Sequence, residues 1–147
     1  EMAKFAKHVT GVDINPDILA MARQRTDRLG LQNVSFLVED ASNISLSSES
    51  LDVVFFSQSL HHLENPQKGL HEAARILRPG GLVLVMELAS HQEDWVQEKL
   101  GHKWLGFEKE FLIDCMQNAG LKNLFSEVLP HRREELFQII LSAGSKL

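Results

Sequence analysis

Residues 51–88 have the sequence LDVVFFSQSLHHLENPQKGLHEAARILRPGGLVLVMEL. The apolar run Leu51–Phe56 predicts a strand that is buried on both faces, and the amphipathic stretch Gln67–Leu77 predicts a helix. The breaker cluster 78–81, Arg-Pro-Gly-Gly, predicts a turn into a further strand over Leu82–Leu88. Two strands joined by a helix are typical of a βαβ unit with parallel pairing. This segment therefore predicts an α/β fold.

The residues before this segment show the same alternation. Strands are predicted at Val9–Ile14 and Val34–Val38, with a helix between them. Asn15 is expected to cap the start of that helix, with Pro16 at its first position. Gly30 is expected to end it in a left-handed conformation. The whole pattern favours a mostly parallel sheet.

The C-terminal third begins with an excursion over residues 91–107, for which we expect a short helix that packs Trp95 and Trp104. A helix is predicted over Glu108–Ala119, and Gly120 is expected to end it. Candidate strands at 124–129 and 136–142 then suggest an antiparallel hairpin across the charged turn 131–135.

Composition excludes several classes of protein. The 147 residues include 15 Lys and Arg against 20 Asp and Glu, for a net charge of -5. The basic residues are scattered, and a protein that binds phosphates needs them concentrated, so we do not expect a nucleic-acid partner. The single cysteine, Cys115, excludes an intramolecular disulfide and a thiolate-rich zinc site. The length of the chain predicts one domain, over residues 1–147. The apolar runs of the chain are too short to cross a bilayer, so we expect a cytoplasmic protein without a membrane partner.

Acidic residues follow the first two predicted strands, and ligands of open α/β sheets bind at the carboxyl ends of strands. Asp13 can accept hydrogen bonds from both hydroxyls of a ribose, or it can serve only as a helix-start residue. Asp40 can meet the amino group of an adenine while the Ala41 amide faces a ring nitrogen. A solvated loop carboxylate is an equally good interpretation of Asp40.

The third strand leads into Ser57-Gln58-Ser59-Leu60-His61-His62. Polar groups beyond a buried strand are costly unless they meet water, a ligand or each other. Adjacent histidines do not share a helix face, and no H-x-x-x-H spacing or cysteine accompanies them, so we predict no metal site. Either His61 or His62 can act as an acid or a base, or can have only a supporting role.

Three segments together resemble class I S-adenosylmethionine-dependent methyltransferases: VTGVDINPDILAMARQR at 9–25, NVSFLVEDA at 33–41, and residues 51–88. The small-molecule branch that includes the ubiquinone/menaquinone-biosynthesis enzymes is the most similar. Residues 91–121 are similar to methyltransferase domains joined to ArsR-type regulators. The resemblance implies a Rossmann-like fold with helices on both faces of the sheet, S-adenosylmethionine as cofactor, and a small-molecule methyl acceptor.

The resemblance also implies a role for each matching residue. Asp13 would bind the ribose, Ile14 would pack on the adenine, and Asp40 with Ala41 would contact the adenine edge. Ser57 and Gln58 would lie near the methionine portion of the cofactor. The catalytic candidates His61 and His62 would surround the methyl group and the acceptor, and Glu87 is a further acceptor-side candidate.

The family's first, central strand and its glycine-rich turn would precede residue 9, and the eight residues there contain no glycine. We therefore expect an N-terminally incomplete domain in which two neighbouring strands have open edges, and such edges favour a homodimer. One alternative is a non-catalytic methyltransferase-like module that self-associates or binds a partner. A second alternative is an oxidoreductase with a nucleotide cofactor, which would share the strand-end acid Asp13.

Overall fold

The computed structural model describes residues 1–130 and 136–147, and it divides into two compact units. The first unit is Glu1–Ser45 and the second is Leu46–Leu147. Each unit is described by itself below. The charged turn predicted at residues 131–135 lies outside the described residues.

The first unit is a parallel strand pair with one helix. After a short 3-10 turn, its elements are β1 (Val9–Asp13), α1 (Pro16–Arg28) and β2 (Val34–Val38). The two strands pair in register, with Asp13 opposite Val38. The sequence therefore correctly predicted a strand-helix-strand unit with parallel pairing.

Local chemistry explains where α1 begins and ends. The side-chain oxygen of Asn15 accepts a hydrogen bond from the Asp17 N–H at 2.9 Å, and Pro16 occupies the first helical position, where no N–H is needed. Gly30 follows the helix with φ +66°, a conformation that glycine adopts without steric cost. The predicted cap and stop are both confirmed.

The second unit is built on a four-stranded sheet in the order β3-β4-β6-β5. Its elements are β3 (Leu51–Ser57), a 3-10 turn (Leu60–His62), α2 (Pro66–Ile76), β4 (Leu77–Leu88), α3 (Trp95–Leu100), α4 (Lys109–Asn118), β5 (Lys122–Val128) and β6 (Ile139–Ser145). β3 and β4 are parallel, whereas β6 is antiparallel to both β4 and β5. The α/β class and the C-terminal hairpin are confirmed.

Apolar side chains from the helices and from the central strands of this sheet form the core of the second unit. Fully buried members are Leu60, Leu70, Ile76, Leu77, Val83, Val85, Leu112, Met116, Leu121 and Ile140. The helical predictions are confirmed to within two residues at each end, and Gly120 has the expected positive φ, +84°. This core fixes the carboxyl ends of β3 and β4, where the polar residues of interest follow.

Two details of the sheet differ from the sequence prediction. The run Leu51–Phe56 is not buried on both faces, because Val53 and Phe55 are 39% and 41% exposed and only Phe56 is buried. β3 is the outermost strand of its sheet, so it has a strand neighbour on one side only. An apolar run of this length indicates a strand, but it does not indicate whether other elements cover both faces of that strand.

The Arg-Pro-Gly-Gly cluster at 78–81 is part of β4 and does not precede it. Leu51 is opposite Leu77 and Val53 is opposite Leu82, so the extra residues of β4 form a bulge. Gly80 has φ +81°, and its N–H donates to the Lys146 carbonyl at 2.8 Å. The breaker residues therefore bend the strand, and the residue that follows β6 still provides a hydrogen-bond acceptor for Gly80.

The excursion over residues 91–107 contains the expected short helix, α3. Trp104 packs against Phe107 and Phe111 in tilted arrangements, with ring centroids 5.7 and 5.5 Å away. Trp95, in contrast, is 37% exposed. It is not packed as predicted, and its indole N–H donates to Glu93 at 2.8 Å. The excursion is thus anchored by one tryptophan.

Candidate active site

The acidic residues of the first unit lie at the same end of its strand pair. Asp13 is the last residue of β1, and Asp40 follows the end of β2 by two residues. The Glu39 N–H donates to the Asp13 carbonyl at 3.1 Å and continues the ladder between the two strands. Because β1 and β2 are parallel and in register, both carboxylates stand at the strand ends where ligands of such sheets bind.

Both carboxylates have local hydrogen bonds. Asp13 Oδ1 accepts from the Asn15 N–H at 2.8 Å, while Asp40 Oδ1 accepts from the N–H and the hydroxyl of Ser42, each at 2.7 Å. The other carboxylate oxygen of Asp13 accepts no hydrogen bond from residues 1–130 or 136–147. Ile14 is 70% exposed beside it. Asp13 can therefore support the helix start and still bind a ligand.

Ser57 and Gln58 are exposed at the carboxyl end of β3. Gln58 has φ +50°, a conformation that is uncommon for a residue with a side chain. Its N–H donates to the Met86 carbonyl at 2.7 Å, so the neighbouring strand holds the backbone in this shape. Strained residues of this kind concentrate at functional sites.

His61 and Glu87 form a buried hydrogen-bonded pair, with 2% and 0% exposure. A carboxylate only accepts hydrogen bonds, so His61 Nδ1 donates to Glu87 Oε2, at 2.7 Å. Glu87 also accepts from the N–H groups of Leu60, at 2.6 Å, and Leu88, at 3.1 Å. These three donors fix the carboxylate. Glu87 is thus placed to orient His61, whereas the sequence offered it as a further acceptor-side candidate.

The pairing with Glu87 defines the tautomer of a neutral His61. With the proton on Nδ1, the lone pair of the ring is on Nε2. A carboxylate that holds the opposite nitrogen also stabilises the imidazolium formed when Nε2 takes a proton. His61 therefore has the arrangement of a general base.

His62 and His102 lie against His61, and we name these three residues the histidine cluster. The ring centroids are 4.3 Å apart for His61 and His62, 4.2 Å for His61 and His102, and 4.9 Å for His62 and His102. One potential ligand atom from each residue lies within 4.8 Å of the other two. The prediction of no metal site considered only the adjacent pair, and the fold adds a third imidazole.

Main-chain hydrogen bonds hold the third member of the histidine cluster in place. The His61 carbonyl accepts from the N–H groups of Lys103, at 2.9 Å, and Trp104, at 3.2 Å. The Trp104 indole N–H donates to the Leu63 carbonyl at 3.0 Å. The segment that carries His102 is therefore held against the 3-10 turn that carries His61 and against Leu63, the residue that follows this turn.

Two histidines of this unit, His91 and the cluster member His102, each have one buried ring nitrogen without a hydrogen-bond partner among the described residues. These atoms are His91 Nε2 and His102 Nδ1. Burial lowers the pKa of His102, and positive charge on His61 and His62 would lower it further. Burial also lowers the pKa of His91, against the raising effect of Glu93. Neutral imidazoles are favoured at both positions.

His91 and His102 are the residues that sequence analysis missed. They flank α3, in the excursion that follows β4, and neither stands directly at a strand end. A usable signal was the number of histidines: the excursion holds two of the chain's seven in 17 residues.

Cys115, in contrast, contributes no chemistry, because burial, with the charge of Asp114, raises the pKa of its thiol.

A family model described as a methyltransferase domain matches residues 1–85, more than half of the chain. The chain belongs to this family. The resemblance seen in the sequence motifs is thereby confirmed. Among the described residues, no helix of this methyltransferase-domain chain has the length and apolarity that crossing a bilayer requires.

A curated relative, the ubiquinone/menaquinone biosynthesis C-methyltransferase of Campylobacter jejuni, is 30% identical over 93 residues. That alignment covers 63% of this chain and 37% of the relative, so the chain spans little more than a third of the length of such relatives.

Two solved structures share the fold. A phosphoethanolamine N-methyltransferase of Haemonchus contortus, in complex with S-adenosylhomocysteine, matches 98% of this chain and 45% of that chain, with a TM-score of 0.80 and 17% identity. A methyltransferase of Methanosarcina mazei, described as dependent on S-adenosylmethionine, matches 99% of this chain and 85% of that chain, with a TM-score of 0.76 and 19% identity. These likenesses confirm the Rossmann-like α/β fold.

Proposed function

We propose that this chain belongs to an enzyme that transfers a methyl group from S-adenosylmethionine to a small-molecule acceptor. Membership of the methyltransferase domain family supports the reaction class. The complex of the Haemonchus contortus neighbour with S-adenosylhomocysteine supports the cofactor. The small-molecule acceptor is supported by the Campylobacter jejuni relative, which is named for a step of quinone biosynthesis.

The position of the Asp13 carboxylate is the observation that most strongly supports the proposal. Its carboxylate ends a parallel strand directly before a helix, inside the segment that the family model matches. One oxygen is used by the Asn15 N–H, and the other is available to a ligand hydroxyl. A carboxylate at this place in an α/β unit is suited to bind the ribose of a nucleoside.

The first unit fits the nucleoside part of this cofactor. Asp13 accepts the ribose hydroxyls, and the exposed side chain of Ile14 packs on the adenine. Asp40 and Ala41, at the neighbouring strand end, contact the adenine edge. When bound, S-adenosylmethionine supplies an electrophilic methyl group on a sulfonium. Ser57 and Gln58 remain predictions for the methionine portion.

The second unit supplies the groups proposed for the acceptor. His61 accepts a proton at Nε2 from an acceptor hydroxyl or acidic carbon, and Glu87 stabilises the resulting imidazolium. His62, which is more exposed, lies beside it. A proton acceptor is needed only when the acceptor must lose a proton to become nucleophilic; otherwise, positioning accounts for catalysis.

Isothermal titration of the full-length protein with S-adenosylmethionine tests the proposal. Asp13→Ala should weaken binding about 10- to 100-fold, the equivalent of one charge-assisted hydrogen bond or slightly more. Asp27→Ala is the matched control, since Asp27 is an exposed carboxylate on α1 of the same unit, and its affinity should equal the wild-type value. Absence of binding by the wild type, or equal affinities of Asp13→Ala and the control, would overturn the proposal.

Self-association through open strand edges, the basis of the non-catalytic alternative, remains a prediction. β3 is outermost in its sheet, and β1 pairs with β2 alone within the part of the chain described. Sedimentation velocity over a range of concentrations measures whether such edges pair between copies. Cytoplasmic location and the lack of a nucleic-acid partner also remain predictions. The oxidoreductase alternative has no support from the family match.

A further inference from the structure

We propose that the histidine cluster binds one divalent transition-metal ion of the Zn²⁺ type, with Glu87 orienting the His61 ligand. Nothing in this proposal depends on the identity of the methyl donor or acceptor. It rests on the arrangement of three imidazoles from two segments that are 40 residues apart in the chain, at 61–62 and 102.

The distances within the histidine cluster are close to those of a metal site. The ligand atoms of His61, His62 and His102 lie within 4.8 Å of one another. Zinc binds histidine nitrogens at about 2.0–2.1 Å, which separates the ligands of a tetrahedral ion by about 3.3–3.5 Å. A movement of each nitrogen by about 1 Å toward the ion would close this difference.

The contact between Glu87 and His61 is the one that metal-binding histidines typically have. A ligating histidine usually donates its other ring N–H to a carboxylate or a carbonyl, and this contact fixes the tautomer and the direction of the ring. Here His61 Nδ1 donates to Glu87 Oε2 at 2.7 Å. A lone pair on Nε2 is thereby directed away from the carboxylate and is available to an ion.

His102 provides an independent observation. Its Nδ1 is buried and has no hydrogen-bond partner among residues 1–130 and 136–147. A buried polar atom without a partner is destabilising, and coordination of an ion would remove that cost. The Lys103 and Trp104 contacts to the His61 carbonyl hold this ring in the cluster.

The ligand chemistry selects the class of ion. Imidazole nitrogens suit Zn²⁺ and its neighbours in the first transition row, whereas Mg²⁺ and Ca²⁺ prefer oxygen ligands. Three protein ligands are typical of zinc sites that keep a fourth position open for water or substrate. An ion here would lower the pKa of a hydroxyl bound to it. His61 Nε2, as a ligand of the ion, would then be unavailable as the proton acceptor, and the proton of the hydroxyl would pass to water.

The test uses full-length protein that is purified without a polyhistidine tag and stripped with a chelator. Titration with Co²⁺ should give the visible absorption of a low-symmetry nitrogen site, and Zn²⁺ should displace it at one ion per chain. His62→Ala and His102→Ala should each weaken Zn²⁺ binding at least tenfold, and Glu87→Gln should weaken it about 10- to 100-fold. Competition with a chromophoric chelator measures these affinities, and circular dichroism confirms that each variant is folded.

His71→Ala is the matched control, because His71 is an exposed histidine of α2 that contacts Gln67 and is not part of the histidine cluster. It should bind Zn²⁺ like the wild type. The proposal is overturned by a wild type without stoichiometric Zn²⁺, or by folded His62→Ala and His102→Ala variants that bind as tightly as the control. Neither S-adenosylmethionine nor an acceptor enters the measurement, so its failure is distinguishable from failure of the proposed function.

Discussion

The two groups of candidate site residues are built in different ways. The carboxylates of the first unit accept hydrogen bonds from groups two residues further along the chain. The Glu87 carboxylate of the second unit is completely buried and accepts from residues 26 and 27 positions away. Turn chemistry thus assembles the first group, while the packing of distant segments assembles the second. Substitutions in the second group should therefore lower the free energy of unfolding strongly, whereas substitutions in the first group should change it little.

The largest expected difference in the free energy of unfolding is between the variants Glu87→Ala and Asp13→Ala. Glu87→Ala leaves His61 and the Leu60 N–H buried without their acceptor, so we expect a loss of about 3–5 kcal/mol in the free energy of unfolding. Asp13→Ala removes one exposed hydrogen bond and should cost no more than about 1 kcal/mol. Urea denaturation followed by circular dichroism measures both. Similar losses for the two variants would contradict the distinction between a packed and a local site.

A smaller difference in the free energy of unfolding is expected when either of two glycines in the excursion after β4 is replaced by alanine. Gly106 has φ +74°, and a Cβ there would lie 2.2 Å from the Ala89 carbonyl oxygen. Gly106→Ala should therefore cost more than about 2 kcal/mol, since the backbone must move as well as adopt a strained conformation. Gly101 has a similar φ, +68°, with open space around it. Gly101→Ala should cost about 1 kcal/mol, for the conformation alone.

The variants Gly106→Ala and Gly101→Ala also test how the histidine cluster is held together. Because Gly106 brings the returning chain against Ala89, its substitution should also displace His102 and weaken the binding of Co²⁺. Gly101→Ala should leave that binding unchanged. If both variants bind Co²⁺ like the wild type, then the excursion does not depend on the close approach at Gly106.

The same distinction explains what could be predicted from the sequence. Asp13 and Asp40 were placed correctly at strand ends because a strand, a turn residue and a helix cap are all local signals. The helix start at Asn15-Pro16 was predicted for the same reason. Their proposed contacts with a nucleoside remain predictions, since strand-end position and hydrogen-bond capacity do not name a ligand.

Two of the three members of the histidine cluster could be found from the sequence. His61 and His62 were found because they follow a strand directly, but His102 comes from a segment with no regular pattern. Its position depends on the hydrogen bonds of Lys103 and Trp104 to the 3-10 turn. No spacing rule connects residues 61 and 102, so the third imidazole becomes visible only in the folded chain.

The smallest expected losses in the free energy of unfolding are at the two asparagine caps. Comparing them tests whether a helix cap contributes the same stability in both units. Asn15 and Asn65 each precede a proline at the first helical position, and each accepts one backbone N–H, at 2.9 and 3.2 Å. Each alanine substitution should cost about 1 kcal/mol, while aspartate at either position should preserve stability. The two costs should be equal although α1 buries only Leu19 and α2 buries six residues, because a cap acts on the terminal N–H groups alone. A loss of several kcal/mol at Asn65 in thermal or urea unfolding would show that packing also controls the caps of the second unit.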